Sequence, residues 1–474
     1  MRHEKIALIN TPSQDYAKSK KIEVEQSSTP YGLASVATFA KVSGIDVQFI
    51  DAENFGLSRS QVVKSIGKDA TMIGLNVLTP TFIQSIHLAK SISSERPDSQ
   101  IVFGGPHATL DPESILWHIP QGVVVVGDGE KPFVQLAEGE DLEQIDGLAT
   151  TQNGQVKRSH IRASVTQDLD SLPWIDRDFT RNEPCMKGDK RSISFLSSRG
   201  CAGNCGFCIT PAQFNVMKNY GARRMRFRDM KDVINEVDSL RDTFDIAQFI
   251  DDDMLPNVTR AKQFIELWKR HNLSEKEFRC LLTPNQIVAH NQAGLLQELH
   301  DLGLRKISLG IETGHDRGRQ MVSGGAGIDS KYNESAQIAA VQACSRAGIS
   351  TKGFFMVGFP GETREEIEQT LTYMKKMGEY GLQRANVFMV KVYPYTKLWQ
   401  QAIEMGFSPE ELGDYNSESV QNMLEKGIDV TDIRNNAITQ DVQLSEIPND
   451  ELVEICQNSM NNFRKEFSNE ESGN

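Results

Sequence analysis

Twice along its 474 residues the chain alternates short apolar strands with helical patterns, and this alternation limits the possible folds more than any other feature. In the first run KIALIN (5–10) precedes YGLASVATFAKVSG, which has apolar residues at helical spacing and a terminating glycine. DVQFID (46–51), a helix near 59–67, TMIGLNVL (71–78) and a helix near 81–94 follow. QIVFGG (100–105), another helix and GVVVVGDG (122–129) close the run. Alternation at this pace predicts a Rossmann-like, doubly wound parallel sheet over residues 1–145, with helices on both faces. Ligands of such sheets sit beyond the carboxyl ends of the strands. Several strands here end in turn-forming or polar residues: NTP (10–12), TPT (79–81), GGPHAT (104–109) and GDGE (127–130).

Residues 146–190 lack the rhythm and read as a linker between domains. Within it, IDGLATTQNGQVKRS reads as a small hairpin turning at Asn153–Gly154. The second alternating run spans about 191–405. Its expected strands are SISFLSS (192–198), IAQFID (246–251), FRCLLTP (278–284), KISLGIE (306–312), STKGFFMVG (350–358) and ANVFMVKVYP (385–394), with helices near 259–271, 291–302, 333–347 and 363–378. Six βα units predict a partial (β/α)6 TIM-like barrel, not a closed eightfold one. The acidic remainder, 406–474, is expected to be a mostly helical extension, with a helix at 449–466 and a disordered end, SNEESGN.

Apolar residues make up 39% and charged residues 24%, a balance that suits a soluble globular protein. No apolar run approaches the ~18 residues of a membrane span, and MRHEKIALIN lacks the apolar core of a signal peptide. A cytoplasmic location is the expectation. The net charge of −13 disfavours a nucleic-acid partner. The one basic cluster, ARRMRFRD (222–229), is expected to lead into a helix, its arginines partly solvated and partly paired. Cys185, Cys280, Cys344 and Cys456 are scattered and read as small buried hydrophobes, and an odd total of seven argues against a disulfide framework.

The other three cysteines, Cys201, Cys205 and Cys208, sit in RGCAGNCGFC directly after an expected strand, where a βα barrel carries its chemistry. Gly200, Gly203 and Gly206 let this loop wrap closely around a ligand. Thiolates select zinc, copper or iron–sulfur clusters. Zinc would need a fourth ligand from elsewhere in the chain; no second paired-cysteine unit supplies it, although a lone cysteine or histidine could serve. A [4Fe–4S] cluster on three thiolates instead leaves one iron open to an external molecule.

This loop, with Phe207 just before its last cysteine, resembles the signature of the radical S-adenosylmethionine (radical SAM) superfamily. The resemblance implies that SAM chelates the open iron and is cleaved to a 5′-deoxyadenosyl radical. FIDDDML (249–255) is similar to the family's acidic segment after the second barrel strand, and Asp252 is the candidate within it. The three aspartates could equally be caps, and only some of them can reach a cofactor. SLGIETG (308–314) looks like the fourth-strand motif, which makes Glu312 a candidate acceptor from SAM. GFFMVGFPGET (353–363) looks like the adenine-side glycine motif, with Gly358 and Pro360, although Thr363 and Glu366 also read as the capping box of a helix. VYPYT (392–396) resembles the sixth-strand segment, with Tyr393 as candidate and Tyr395 where the family usually has glycine.

The first domain resembles the cobalamin-binding domain found upstream of a large radical SAM subgroup, through TPYGLASVA (29–37), GLNVLTPTF (74–82), VFGGPHAT (102–109) and VVGDGEKPF (125–133). The candidates for the corrin are Thr79, Thr81, Gly104, Gly105, His107, Gly127, Asp128, Gly129 and Glu130. Glycines admit backbone close to a flat ring. The D-x-H-x-x-G motif of many cobalamin proteins is absent, since DAENFG (51–56) carries Glu53 in place of histidine, so a His-off cobalamin is expected. His107 could instead pack locally. The resemblance implies methyl transfer from SAM through cobalamin to an unactivated carbon of a small molecule, with a flavodoxin- or ferredoxin-type reductant. The alternatives are a non-methylating cyclisation, rearrangement or oxidation, and a non-catalytic iron–sulfur or cobalamin-binding protein. No catalytic side chain is singled out.

Overall fold

A computed structural model describes residues 3–12, 29–181, 183–325, 327–408, 412 and 442–467. The chain divides into two compact units. One comprises the residues up to Glu183 together with Ala212–Arg224, and the other Pro184–Pro211, Met225–Leu412 and the C-terminal helix.

The first unit holds a seven-stranded sheet ordered β2-β1-β3-β4-β5-β6-β7. The strands are β1 (Lys5–Asn10), β2 (Asp46–Asp51), β3 (Met72–Asn76), β4 (Gln100–Gly104), β5 (Val123–Val125), β6 (Leu148–Gln152) and β7 (Gln155–Arg158). β1 to β5 are parallel, as the alternation predicts. Ile9, Ile73, Leu75 and Phe103 pack on Val62, Phe82, Ile86 and Ile115 from the helices of one face. On the other face Gly74 makes room for Phe133, because a Cβ there would lie 2.8 Å from its ring. The strand order reverses between β1 and β3, the switch point at which open α/β sheets take their ligands. The hairpin forms as expected, with φ of +52° at Asn153 and +75° at Gly154, the mirror-image turn that suits twisted strands. It does not behave as linker, because β6 pairs antiparallel with β5 and extends the sheet. Periodicity marks a hairpin but says nothing about which edge it joins.

The second unit's main sheet runs β16-β15-β14-β13-β12-β9-β8. Its six parallel strands are β9 (Lys190–Phe195), β12 (Ile246–Phe249), β13 (Glu277–Leu281), β14 (Leu304–Glu312), β15 (Ser350–Val357) and β16 (Arg384–Met389). β8 (Cys185–Lys187) adds an antiparallel edge, and the sheet stays open between β8 and β16, which makes it a partial barrel. Ile307, Leu309, Ile311, Phe355 and Val357 alternate outward against Phe264, Trp268, Val341 and Met374 of the helices. The buried indole N–H of Trp268 is satisfied by the Leu302 carbonyl at 2.9 Å. The expected terminal helix forms at Asn449–Phe467, and Leu452, Cys456 and Phe463 join this core. The expected disordered end and most of the 406–448 extension lie outside the described residues. Cys280, Cys344 and Cys456 are buried as expected, whereas Cys185 on the edge strand is only half-buried. Among the described residues no helix is long and apolar enough to cross a membrane.

Candidate functional site

β9 leads into β10 (Ser198–Gly200), which pairs antiparallel with β11 (Met225–Phe227). Asp251 fixes this exit: its buried carboxylate accepts from the Ser197 amide at 3.0 Å and from the Ser197 and Ser198 hydroxyls at 2.7 and 2.5 Å. Gly200, with φ of +90°, then turns the chain into the cysteine loop. A Cβ on Gly203 would sit 3.3 and 3.5 Å from the Cys201 and Cys205 sulfurs and 2.7 Å from the Lys331 ammonium. At Gly206 a Cβ would lie 2.4 Å from the Met321 carbonyl, and the Gly206 amide donates to Val322 O at 2.8 Å. Phe207 and Cys205 pack against a cluster that includes Met321, Tyr332, Phe359, Val392 and Leu398. Burial raises the Cys201 thiol to about 11 and also raises that of Cys208. Their ligating thiolate form therefore needs a metal or a cation beside it. Among the described residues no three His, Cys, Asp or Glu side chains converge on a single ion. A cubane's three thiolates bind three different irons, and a loop with glycine beside the Cys201 and Cys205 sulfurs fits that need.

The three aspartates have separate partners. Asp251 has the structural role just described. Asp253 is buried, receives Gln286 Nε2 at 2.8 Å, and is raised by burial to about 6. Asp252 is exposed, with the Thr210 hydroxyl 3.3 Å away. Glu312 ends β14 at a register shift with φ of +71°, and the Thr313 amide bonds back to Ile311 O, so a γ-turn is centred on the glutamate. A Cβ at Gly310 would lie 2.2 Å from Glu312 Oε1, so a side chain there would displace that carboxylate. Among the described residues no hydrogen bond reaches the Glu312 carboxylate, which is 8% exposed, and burial pushes it up to about 8 against the pull of Lys331.

After β15, Gly358 takes φ of +88° and its amide, with that of Phe359, donates to the fully buried Glu362 carboxylate at 2.5 and 2.9 Å. Glu362 is held in turn by His315 at 2.9 Å. Arg317 binds the carbonyls of Pro360 and Gly361 at 3.0 and 2.8 Å. The Thr363–Glu366 capping box is present. Tyr393 is half-buried, and its carbonyl accepts from the Thr396 hydroxyl at 2.7 Å. Tyr395 holds φ of +68°, so the turn keeps a glycine-like conformation without a glycine. Lys331, Glu362 and Arg317 were missed by sequence reasoning. Glu362 lies inside the quoted glycine motif and was legible there, whereas Lys331 carries no local signal.

In the first unit most of the candidate polar side chains are engaged in the frame. The Thr81 hydroxyl closes its own turn on Leu78, and Thr79 lies 3.3 Å from His107 Nδ1. His107 is buried against the Phe82 ring at 4.6 Å, with Ser114 Oγ 3.5 Å from Nε2, and burial lowers it to about 3. Asp128 accepts from the Thr166 amide at 2.7 Å, and Glu130 from the Ser35 hydroxyl at 2.6 Å. Gly105 and Gly127 have φ of +102° and +95° and face Asn76 and Ser164 at closest approach; Gly129 touches Val36. Gly104 alone among these four glycines has nothing within 4 Å of its Cβ position. At the switch point the Thr11 hydroxyl is buried and, among the described residues, without a partner. An open glycine and an orphaned hydroxyl at the carboxyl end of the sheet fit a ligand that approaches the backbone.

Two family models match this chain: the B12 binding domain over residues 21–137 and the Radical SAM superfamily over residues 195–374. An uncharacterized methyltransferase of Pyrococcus horikoshii is 29% identical and covers 85% of this chain and 84% of its own length. The anaerobic magnesium-protoporphyrin IX monomethyl ester cyclase of Rubrivivax gelatinosus is 26% identical, covering 80% of this chain and 67% of its own. The radical SAM methyltransferase TsrM of Kitasatospora setae, solved with cobalamin and a [4Fe–4S] cluster, superposes with a TM-score of 0.66 over 86% of this chain and 80% of that one, at 18% identity. The same enzyme is also solved with tryptophan substrate and a SAM analogue. The chain is an enzyme that carries a B12-binding domain ahead of a radical SAM domain.

Proposed function

We propose that this enzyme is a cobalamin-dependent methyltransferase acting on a small molecule. One observation carries the reading: a three-cysteine loop opens a six-stranded partial barrel in the same chain as a B12-binding domain. When bound, the cofactors supply the electron that cleaves SAM and the methyl group that reaches the substrate. Cys201, Cys205 and Cys208 hold the cluster, and Gly203 places no side chain of its own against two of the thiols. The buried, unbonded carboxylate of Glu312 accepts hydrogen bonds from SAM, Asp252 lies within reach of the same site, and Phe207, Gly358, Pro360 and Tyr393 form its walls. In the first unit the open backbone at Gly104 faces the corrin, Gly105, Gly127 and Gly129 shape the turns around it, and Thr79, Thr81, His107, Asp128 and Glu130 brace that backbone. The burial of His107, together with the missing D-x-H-x-x-G motif, supports a cobalt with no protein histidine beneath it. The tryptophan bound by the Kitasatospora enzyme supports a small-molecule substrate.

The test is anaerobic reconstitution with iron, sulfide and cobalamin, then incubation with SAM and dithionite. 5′-Deoxyadenosine and S-adenosylhomocysteine should both form. Replacing Cys205 by alanine should abolish the first product and strip iron and sulfide. The cyclase relative favours a second reading, a radical conversion without methyl transfer. In that case 5′-deoxyadenosine would appear and S-adenosylhomocysteine would not.

A further inference from the structure

Lys331 carries a buried ammonium that, among the described residues, has no carboxylate within 4.0 Å. Leaving a buried cation without a counter-charge is costly. Its Nζ instead donates to the sulfur of Cys205 at 3.0 Å and lies 5.0 Å from the Tyr332 ring centroid. The approach is built in. A Cβ at Gly203 would meet the ammonium at 2.7 Å, so glycine there leaves room for the lysine tip beside the Cys205 sulfur. The lysine sits on a tied turn: its own amide bonds to Asp329 at 3.1 Å, and Asn285 reaches Ser330 at 2.8 Å. A neutral thiol would do little to offset this charge, whereas a metal-bound thiolate would.

We infer that Lys331 is a positioning residue that holds a positive charge against the Cys205 corner of the cluster and so stabilises its reduced, more negative state. The inference rests on the reading of the three cysteines as cluster ligands. Reduction adds one electron, supplied by an external one-electron donor, and no bond at Lys331 changes. Hydrogen bonds to the sulfurs and nearby charge set such potentials, and burial leaves this charge poorly screened. Burial favours the neutral form of Glu312, whereas Asp253, raised only to about 6, and Asp329 beside the lysine attract the ammonium and offset part of its effect.

The test compares the reconstituted wild-type chain with Lys331→Met, Lys331→Gln and Lys331→Arg. It measures iron and sulfide per chain and follows the reduced cluster by electron paramagnetic resonance during a redox titration. At one fixed solution potential, the ratio of reduced to oxidised cluster should fall at least tenfold in the neutral variants, a shift of about 59 mV for a one-electron couple. Lys331→Arg should stay within threefold of wild type. Should both neutral variants lose iron while Lys331→Arg keeps it, the charge itself is holding the cluster and the inference stands. Iron-loaded neutral variants that titrate with wild type overturn it, as does an arginine variant that behaves like the neutral ones. A wild-type chain that takes up no iron and sulfide overturns the cluster reading and this inference together.

Discussion

The two units turn their chains off strand ends in different ways. In the first, the left-handed positions after β4 and β5 are glycines, Gly105 and Gly127. In the second, Gly358 after β15 is one, but Glu312 at the end of β14 and Tyr395 after β16 adopt the same backbone with side chains attached. Left-handed backbone costs an L-residue about 1–2 kcal/mol, and such strain gathers where function demands a particular side chain. The first unit's polar candidates brace the loops and leave backbone to face a ligand. The second unit instead keeps a carboxylate buried and unbonded. That contrast suits a broad flat ring on one side and a small charged molecule on the other.

The sharpest way to break the comparison is a pair of alanines in the first unit. A Cβ at Gly127 would lie 2.1 Å from the Ser164 carbonyl oxygen, on backbone at φ of +95°. Gly127→Ala should therefore lower the stability of the chain by about 2–3 kcal/mol in chemical denaturation. Gly104→Ala meets nothing within 4 Å and should change stability by no more than about 0.5 kcal/mol. If the corrin lies on that backbone, the same variant should nonetheless bind cobalamin at least tenfold more weakly, read from the absorbance of retained corrin. Unchanged cobalamin binding would remove Gly104 from the site.

In the second unit the carboxylate of Glu312 is the matching test. Bound SAM carries a positive charge that draws Glu312 into its ionised form, and losing hydrogen bonds to a charged acceptor costs about 1.5–3 kcal/mol, so Glu312→Gln should weaken SAM binding by about tenfold to a hundredfold. A linked effect appears in stability. The group titrates at its ordinary 4.5 in the unfolded chain and at about 8 in the folded one. Between those values the folded chain holds a proton that the unfolded chain has released, so raising the pH through this window removes stability. Glu312→Gln should flatten that decline by at least about 1 kcal/mol, measured as the difference in unfolding free energy between the two ends of the window. Parallel pH profiles for the two proteins would mean that Glu312 is solvated and bonded like any surface acid.

Much of this was legible in the sequence, for physical reasons. The parallel strands of both sheets announce themselves because runs such as KIALIN and STKGFFMVG are apolar and bounded by turns, and the Thr363–Glu366 cap reads directly from its spacing. β10 and β11 did not, because SRG and MRF are only three residues long and each is centred on an arginine, and only their pairing makes them strands. The helix Pro284–Gln292 starts at a proline that closed the expected strand FRCLLTP, although the Thr283–Gln286 capping box was there to be read. Among the aspartates, sequence alone could not separate Asp251, which ties two serines, from Asp252, because the difference lies in partners 53 and 54 residues away. Lys331 reaches Cys205 across 126 residues, and no local pattern encodes such a contact.

The smallest expected effect tests the strain itself. Tyr395 is 44% exposed, and its ring stacks on Trp399 with centroids 6.3 Å apart. A simple deletion would mix two effects, loss of the stacking and relief of the backbone. Comparing Tyr395→Ala with Tyr395→Gly separates them, because both lose the ring and only glycine relaxes at φ of +68°. Relief of about 1–2 kcal/mol is offset by the roughly 0.5–1 kcal/mol that glycine loses through its freer unfolded chain. The glycine variant should therefore be the more stable of the two by about 0.5–1 kcal/mol, measured in chemical denaturation. Equal stabilities would mean that this turn relaxes without glycine, and among the described residues Glu312 would then be the one strained position left at the second unit's strand ends. A glycine variant that also gains on wild type would show that the tyrosine ring holds the turn at a net loss of stability, as expected if the side chain is kept for what it faces.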